Sequence, residues 1–149
     1  PKGKTVDPEN ACGLKVAVQA TTYEDSTELP AKSKACTDAG KAAIQIYKYD
    51  AQDSATTALT LGQVDAMSAD SPVTLYAIKQ TGDKLQPAGD AFEAAPYGIP
   101  IAKDSKLTAA VQKALQSMVD DGSYAKVLSK WGVESGGLAK ITVNAASTS

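Results

Sequence analysis

Short apolar runs alternate with helix-patterned segments along most of the chain, and Gly, Pro, Asp or Ser marks nearly every junction between them. The first run, Lys15–Gln19, contains three consecutive apolar residues and ends just before Thr21 and Thr22. Runs of this length bounded by turn residues are typical of strands, and apolar spacings of three and four residues are typical of helices. The resulting order, βαβαβαβ, predicts an α/β fold with a doubly wound sheet and flanking helices.

The element boundaries follow from the same pattern and from capping and breaking residues. After the first strand, Pro30 delays or interrupts a helix and Gly40 ends it. Two further helices are predicted near the C-terminus, of which the first has the clearest apolar face in the chain. The predicted strands cover residues 15–19, 44–49 and 64–68, and the predicted helices cover residues 23–39, 53–61, 71–80, 105–119 and 123–130.

The charged residues exclude several classes of function. All 15 basic residues are lysines, and the chain has neither histidine nor arginine. Catalysis by Ser-His-Asp or Cys-His and histidine-based metal sites are therefore excluded. The net charge of −2 is spread along the chain, which gives no basic stripe for nucleic acid. We expect no metal, no cofactor and no enzymatic activity, and no apolar stretch reaches the 18 residues of a membrane span.

The two cysteines, Cys12 and Cys36, are separated by 24 positions. This spacing is too long for a CxxC redox or zinc pair, and two cysteines cannot fill a four-ligand structural site. A disulfide between them would stabilise the fold by about 3 kcal/mol and would indicate an oxidising location. Two buried free thiols are the alternative.

Four ordered blocks resemble the extracytoplasmic solute-binding proteins of polar amino-acid ABC transporters. They read "CGLKVAVQATT", "LGQVDAMSADSP", "APYGIPIAKDSKL" and "VQKALQSMVDDGSYAKVLSKWGV". The resemblance extends over most of the chain, and the last two blocks are the most specific. The cysteine pair also resembles a variant found among the lipid-anchored, Gram-positive members.

This resemblance implies a periplasmic-binding-protein type 2-like fold of two lobes, of which the chain would carry only part. Residues 1–92 resemble the second lobe, and residues 93–102 resemble a crossover strand between the lobes. Residues 103–134 resemble the C-terminal helices of the first lobe, and residues 135–149 form a tail. The N-terminal part of the first lobe is expected to be missing, which suggests a truncated or single-lobe form.

The resemblance also implies a ligand site at the carboxyl ends of the strands. Thr22 resembles a threonine that donates its hydroxyl and backbone N–H to a ligand carboxylate at a helix N-terminus, although it could be an ordinary helix cap. Thr21 is expected to be the cap and a second ligand contact. Asp70 resembles the aspartate that pairs with the ligand ammonium, with helix capping as its alternative, and Gln19 could line the side-chain pocket or face solvent.

Two other residues have simpler interpretations. Asp65, five residues before Asp70, could suggest a pair of catalytic carboxylates. Nothing else in the sequence supplies a substrate cleft, so a hydrogen-bonding role at the surface of the lobe is favoured. Trp131, the single tryptophan, is expected in the core.

The implied function is extracytoplasmic binding of a small solute, an amino acid, for ABC-transporter uptake. The expected partners are the amino-acid ligand, the ABC permease, the missing N-terminal lobe and a second copy joined through the C-terminal helices. The expected location is extracellular, anchored to the cell surface in the full-length protein, or periplasmic. A ligand-sensing receptor domain of the same fold and a periplasmic dehydratase-like enzyme are the alternatives.

Overall fold

The computed structural model describes residues 1–82 and 84–145, and it contains a parallel three-stranded sheet of order β2-β1-β3. The strands are β1 (Lys15–Gln19), β2 (Gln45–Tyr49) and β3 (Ala66–Met67). The bounds of β1 agree with the prediction, whereas β3 is shorter than the predicted 64–68. Val16 and Ala17 of β1 pair with both neighbours, so β1 is the central strand.

Helices connect and flank these strands in the predicted order. One π turn (Glu24–Glu28) leads directly into α1 (Leu29–Asp38), so the predicted helix 23–39 is continuous but begins with a wider turn. Pro30 lies in the first turn of α1, directly after the wider turn, and it has no N–H to donate to a carbonyl of that turn. The remaining helices are α2 (Gln52–Thr60), α3 (Ser71–Gln80), α4 (Leu107–Asp120), α5 (Ser123–Trp131) and a 3₁₀ turn (Glu134–Gly136).

The core lies on both faces of the sheet, as expected for an α/β fold with a doubly wound sheet. Successive side chains of a strand point to opposite faces, so Ala17 packs on one side while Val16 and Val18 pack on the other. The first cluster contains Ala17, Ala55, Ala58, Leu59, Val64, Ala77 and Leu85. The second contains Ala11, Val16, Val18, Leu29, Cys36 and Ile44. Helices therefore cover both faces of β1.

A disulfide joins Cys12 to Cys36, which confirms the predicted pairing. The two Cα atoms are 5.6 Å apart, within the usual range for this bond. Cys12 lies in the segment before β1, and Cys36 lies in the last turn of α1, where it is buried. The bond therefore fixes α1 to the amino end of the central strand.

The chain divides into two compact units, residues 1–90 and 91–149. The first contains the sheet and both core clusters. In the second, α4 and α5 pack on each other, and neither helix has a buried residue. Trp131 is 46% exposed, so the prediction that it lies in the core is wrong for this structure. Its helix, α5, contacts only α4 and the 3₁₀ turn among the elements of this unit, too few to enclose an indole.

The predicted crossover strand, residues 93–102, has no regular secondary structure. Pro96 and Pro100 have no N–H to donate to a sheet, and no described strand pairs with this segment. The assignment of the segments to lobes stays a prediction. The predicted tail 135–149 is described only as far as residue 145, and residues 146–149 lie outside the described part. No described helix combines the length and apolar character that crossing a membrane requires.

Candidate functional site

The strand ends bring the predicted site residues to one edge of the sheet. Because the strands are parallel, the carboxyl ends of β1 and β3 lie side by side. Thr21 and Thr22 follow β1, and Asp70 follows β3 three residues after Met67. The chain passes from β1 to β2 on one side and then to β3 on the other side of β1. The carboxyl edge at such a reversal is where α/β sheets bind ligands. The threonines and the aspartate therefore belong to neighbouring strand ends, as the sequence suggested.

Thr22 makes the capping contacts of the helix. Its hydroxyl donates to the backbone oxygen of Gln19 at 2.9 Å and accepts a long hydrogen bond of 3.4 Å from the backbone N–H of Asp25. The prediction that Thr21 is the cap is therefore wrong. The backbone of Thr21 has a positive φ of 66°, so its side chain does not reach the following turn and is exposed instead.

Two hydrogen-bond donors remain available in this turn. The hydroxyl of Thr21 and the backbone N–H of Thr22 make no hydrogen bond to any other residue in 1–82 or 84–145. The N–H groups of a first helical turn have no intrahelical partner, and they carry the positive end of the helix dipole. The turn can therefore offer two donors to an anion, although not the Thr22 hydroxyl, which is already donating to Gln19.

Asp25 is the main contact that sequence reasoning missed. Asp25 is 7% exposed, and its Oδ2 accepts a hydrogen bond of 2.9 Å from the backbone N–H of Thr21. Its Oδ1 is buried and lies 2.6 Å from Nζ of Lys48, which comes from β2. The hydrogen bond from Lys48 and, next, the one from Thr21 hold the pKa of Asp25 below its ordinary value.

The spacing of Thr22 and Asp25 was a usable signal. A threonine followed three positions later by an acid is close to the capping-box pattern, in which each residue serves a backbone N–H near the other. Here Asp25 reaches the N–H of Thr21. No comparable local signal identifies Lys48, because its contact with Asp25 depends on the pairing of β2 with β1.

A second acid ties the helix to β3. Glu28, also buried, accepts a hydrogen bond of 2.7 Å from the Ser68 hydroxyl, and Nζ of Lys32 lies 3.4 Å from its other oxygen. Ser68 directly follows β3. Asp25 and Glu28 therefore connect the helix to β2 and to the end of β3.

Glu24, on the same turn, differs from both. It is 8% exposed, yet its carboxylate makes no hydrogen bond or ion pair with the residues that the structure describes. Its carboxylate oxygens are not among the fully buried, unpaired side-chain atoms of the described residues, so they keep contact with solvent while the rest of the side chain is covered.

Asp70 is exposed and precedes the first residue of α3. Its backbone oxygen accepts from the N–H of Thr74 at 3.0 Å, but its side chain makes no capping hydrogen bond. The alternative interpretation of Asp70 as a side-chain cap is therefore not supported. Gln19 is half-buried, and its backbone oxygen, rather than its side chain, contacts Thr22.

Asp65 lies at the opposite end of β3 from Asp70. It accepts from Nζ of Lys4 at 2.5 Å and from the backbone N–H of Lys15 at 2.9 Å. These two hydrogen bonds, Lys4 first, lower its pKa. Asp65 thus has the predicted hydrogen-bonding role, and no catalytic carboxylate pair forms with Asp70. Within the described part of the chain, no three acids or cysteines are grouped so as to hold a metal ion.

Two cavities in the described part of the chain lie away from this edge. One is lined by Asp65, Met67, Ile78 and Leu85, among others, beside the open side of β3. The other lies in the second unit, between α4 and residues 139–141. Neither is lined by Thr21, Thr22 or Asp70.

Comparison with known proteins gives relatives of one kind. The arginine-binding protein ArgT of Corynebacterium glutamicum is 41% identical over 139 residues, covering 93% of this chain and 46% of ArgT. The glutamate-binding protein GluB of Corynebacterium efficiens is 34% identical over 93 residues, covering 58% of this chain and 32% of GluB. No protein-family model matches the chain.

Comparison with solved structures also finds amino-acid-binding proteins. An ancestral arginine-binding protein bound to arginine superposes with a TM-score of 0.61 at 32% identity, covering 84% of this chain and 53% of that one. The ancestral protein bound to glutamine gives a TM-score of 0.63 at 29% identity, covering 89% and 56%. The resemblance to extracytoplasmic amino-acid-binding proteins and the fold class are thus confirmed. The chain spans about half the length of these relatives.

Proposed function

We propose that this chain, a relative of the extracytoplasmic amino-acid-binding proteins over 93% of its length, forms one wall of an amino-acid site used for ABC-transporter uptake. One observation carries the proposal. Hydrogen-bond donors of Thr21 and Thr22 follow β1, and the carboxylate of Asp70 follows the neighbouring parallel strand β3. These groups complement the α-carboxylate and the α-ammonium of an amino acid.

The chemistry of this wall is incomplete for tight binding. Bidentate recognition of a carboxylate favours arginine, and this chain has none. The relatives are about twice as long, and we assign the cation that pairs with the ligand carboxylate to the half that this chain does not match. We therefore expect the 149-residue chain to bind amino acids weakly, with millimolar dissociation constants. Submicromolar affinity of this chain would contradict that assignment.

The test is a titration of the ¹⁵N-labelled chain followed by amide chemical shifts, with L-arginine, L-glutamine and L-glutamate as ligands. We expect saturable shifts at Thr21, Thr22 and Asp70. Asp70→Asn should weaken binding by about tenfold, because a charge-assisted hydrogen bond is lost. The control is Asp50→Asn, an exposed acid that follows β2. Absence of saturable shifts, or equal affinity of the Asp70→Asn chain, would contradict the proposal.

The finer parts of the function follow from the same proposal. Ligand capture would take place outside the cytoplasmic membrane, at the cell surface or in the periplasm, with delivery to a permease and no covalent chemistry. A dehydratase-like activity would instead require an acid or base in the cleft. Incubation with a prephenate-like substrate, followed by its ultraviolet absorbance, is expected to show no conversion.

Self-association through the C-terminal helices is a further part of the proposal. Leu107, Val127 and Trp131 are each more than 40% exposed on α4 and α5. Apolar faces of this kind favour association. Sedimentation equilibrium should show a dimer that Val127→Lys weakens, and a monomer at all concentrations would contradict it.

A further inference from the structure

The geometry points to Asp25 and Lys48 as positioning residues of the proposed ligand site. Their ion pair holds the Thr21 peptide in the orientation that leaves the Thr21 hydroxyl and the Thr22 N–H available. This inference rests on the proposed function for its ligand, but its structural part can be measured without one.

The first step is the backbone of Thr21. Its φ of 66° lies in the left-handed region, which β-branched residues seldom adopt because the side chain crowds the backbone. Such a conformation persists only where surrounding contacts enforce it. The hydrogen bond of 2.9 Å from the Thr21 N–H to Oδ2 of Asp25 is that contact.

The second step is the carboxylate of Asp25. Its side chain is 9% exposed, so little water can solvate it. Oδ1 has Lys48 Nζ at 2.6 Å and no hydrogen bond to other described residues. Without that ammonium, the carboxylate would be buried with one oxygen unpaired, which favours rotation toward water. Rotation would break the hydrogen bond to Thr21.

The third step is the origin of Lys48. It lies on β2, opposite Val18 of β1, and its side chain is 58% exposed. Lys48 has no other ion pair with a described residue. β2 supplies no proposed ligand contact itself, but through Lys48 it fixes the turn that contains Thr21 and Thr22.

A matched control exists on α1. Lys34 and Asp38 also form an ion pair of 2.6 Å, but both side chains are exposed, at 73% and 62%, and neither contacts the turn. Removing the cation of this pair changes the charge of the chain as Lys48→Met does. Unlike Lys48→Met, it does not leave a buried carboxylate without its cation.

The experiment compares Lys48→Met, Lys48→Arg and Lys34→Met with the unmodified chain. In the absence of ligand, the Thr21 and Thr22 amide shifts and the Thr21 HN–Hα coupling should change in Lys48→Met alone. Titration with L-arginine should give about tenfold weaker binding for Lys48→Met, since the left-handed peptide would be released. Lys48→Arg should retain the coupling and the affinity, because it keeps the charge.

The outcomes separate the two proposals. An unchanged Thr21 coupling in Lys48→Met overturns the inference, whatever happens to ligand binding. A changed coupling with unchanged affinity also overturns it, because Thr21 would then not need positioning. If the unmodified chain binds no amino acid while the coupling changes, the proposed function fails and the structural link between Lys48 and Thr21 stands.

Discussion

At the scale of the residue, three acids on one turn have different surroundings. Asp25 is paired with Lys48 and with the N–H of Thr21, and Glu28 is bonded to Ser68. Glu24 is equally buried and has no such partner among the described residues. Burial therefore does not by itself indicate whether a carboxylate stabilises the fold.

We predict unequal effects for neighbouring amide substitutions. Asp25→Asn should lower the free energy of unfolding, because an ion pair is lost. Glu24→Gln should change it by less than about 0.5 kcal/mol, because the Glu24 carboxylate has no ion pair to lose among the described residues and its oxygens are not fully buried. Urea denaturation measures both, with Asp50→Asn as the exposed control. A larger loss of stability in Glu24→Gln than in Asp25→Asn would contradict this prediction.

Asp65 should make stability depend on pH. Its pKa is lowered in the folded state by Lys4 and by the Lys15 N–H, so its contribution is present above the ordinary aspartate pKa of about 3.9 and is lost as pH falls through the folded pKa. Asp65→Asn should therefore reduce the loss of stability between neutral pH and about pH 3. Urea unfolding at both pH values measures this. An identical pH dependence in the variant would contradict the assignment.

The roles of Thr21 and Thr22 show what sequence could predict at this scale. The pair of threonines after a strand correctly indicated a helix N-terminus. Which of them caps the helix depends on the φ of Thr21, and that angle is set by Asp25 and by a lysine on another strand. Contacts across strands leave no spacing pattern in the sequence.

At the scale of the element, α1 depends on few contacts. Of its ten residues only Leu29 and Cys36 are buried, and the latter is in the disulfide. The helix is further held by Ser33, whose hydroxyl accepts from the Ile44 N–H at 3.1 Å. The disulfide is therefore the strongest single attachment of the helix that follows the proposed site.

Reduction should loosen α1 before the rest of the sheet unit. We expect a loss of about 3 kcal/mol in the free energy of unfolding, from the loop that Cys12 and Cys36 close. Hydrogen exchange should become faster by a larger factor in residues 29–38 than in β1 and α2, where the increase should only follow the fall in the free energy of unfolding. The Cys12→Ser, Cys36→Ser double variant should behave like the reduced chain. Uniformly faster exchange throughout residues 1–90 would contradict a local role.

The positions of the elements were predicted most accurately where their residues are buried. β1 was predicted to the residue because both its faces are covered, so its apolar residues 16–18 mark the buried centre and Lys15 and Gln19 mark its ends. Segment 93–102, predicted as a crossover strand, has no regular secondary structure here, and its Pro96 and Pro100 have no N–H to donate to a sheet; its role between the lobes stays a prediction. An apolar run predicts a strand only where a partner is available.

At the scale of the whole molecule, the two units differ in how much core they contain. The sheet unit has two clusters of buried residues, whereas α4 and α5 have none. In the second unit, hydrogen bonds of Gln112 and Gln116 to the backbone of Ile141 attach the segment after α5 to α4. Such hydrogen bonds contribute less protection where no buried packing surrounds them.

We therefore predict unequal protection along the chain. Amides of β1 should exchange only through global unfolding of their unit, and amides of residues 107–131 should exchange orders of magnitude faster. Native-state hydrogen exchange at low urea concentrations measures both. If α4 and α5 dimerise as proposed, their protection should rise with protein concentration while that of β1 does not. Equal protection in the two units at low concentration would contradict the difference in burial.

The ion pair between Asp25 and Lys48 has a consequence for engineering. Residues 19–26 look like a portable loop, since they contain both threonines together with Glu24 and Asp25. Grafted onto another binding protein without a cation at the equivalent position of the adjacent strand, the loop would carry the hydroxyl groups but not their orientation. Recombination between relatives should therefore transfer position 48 together with this loop.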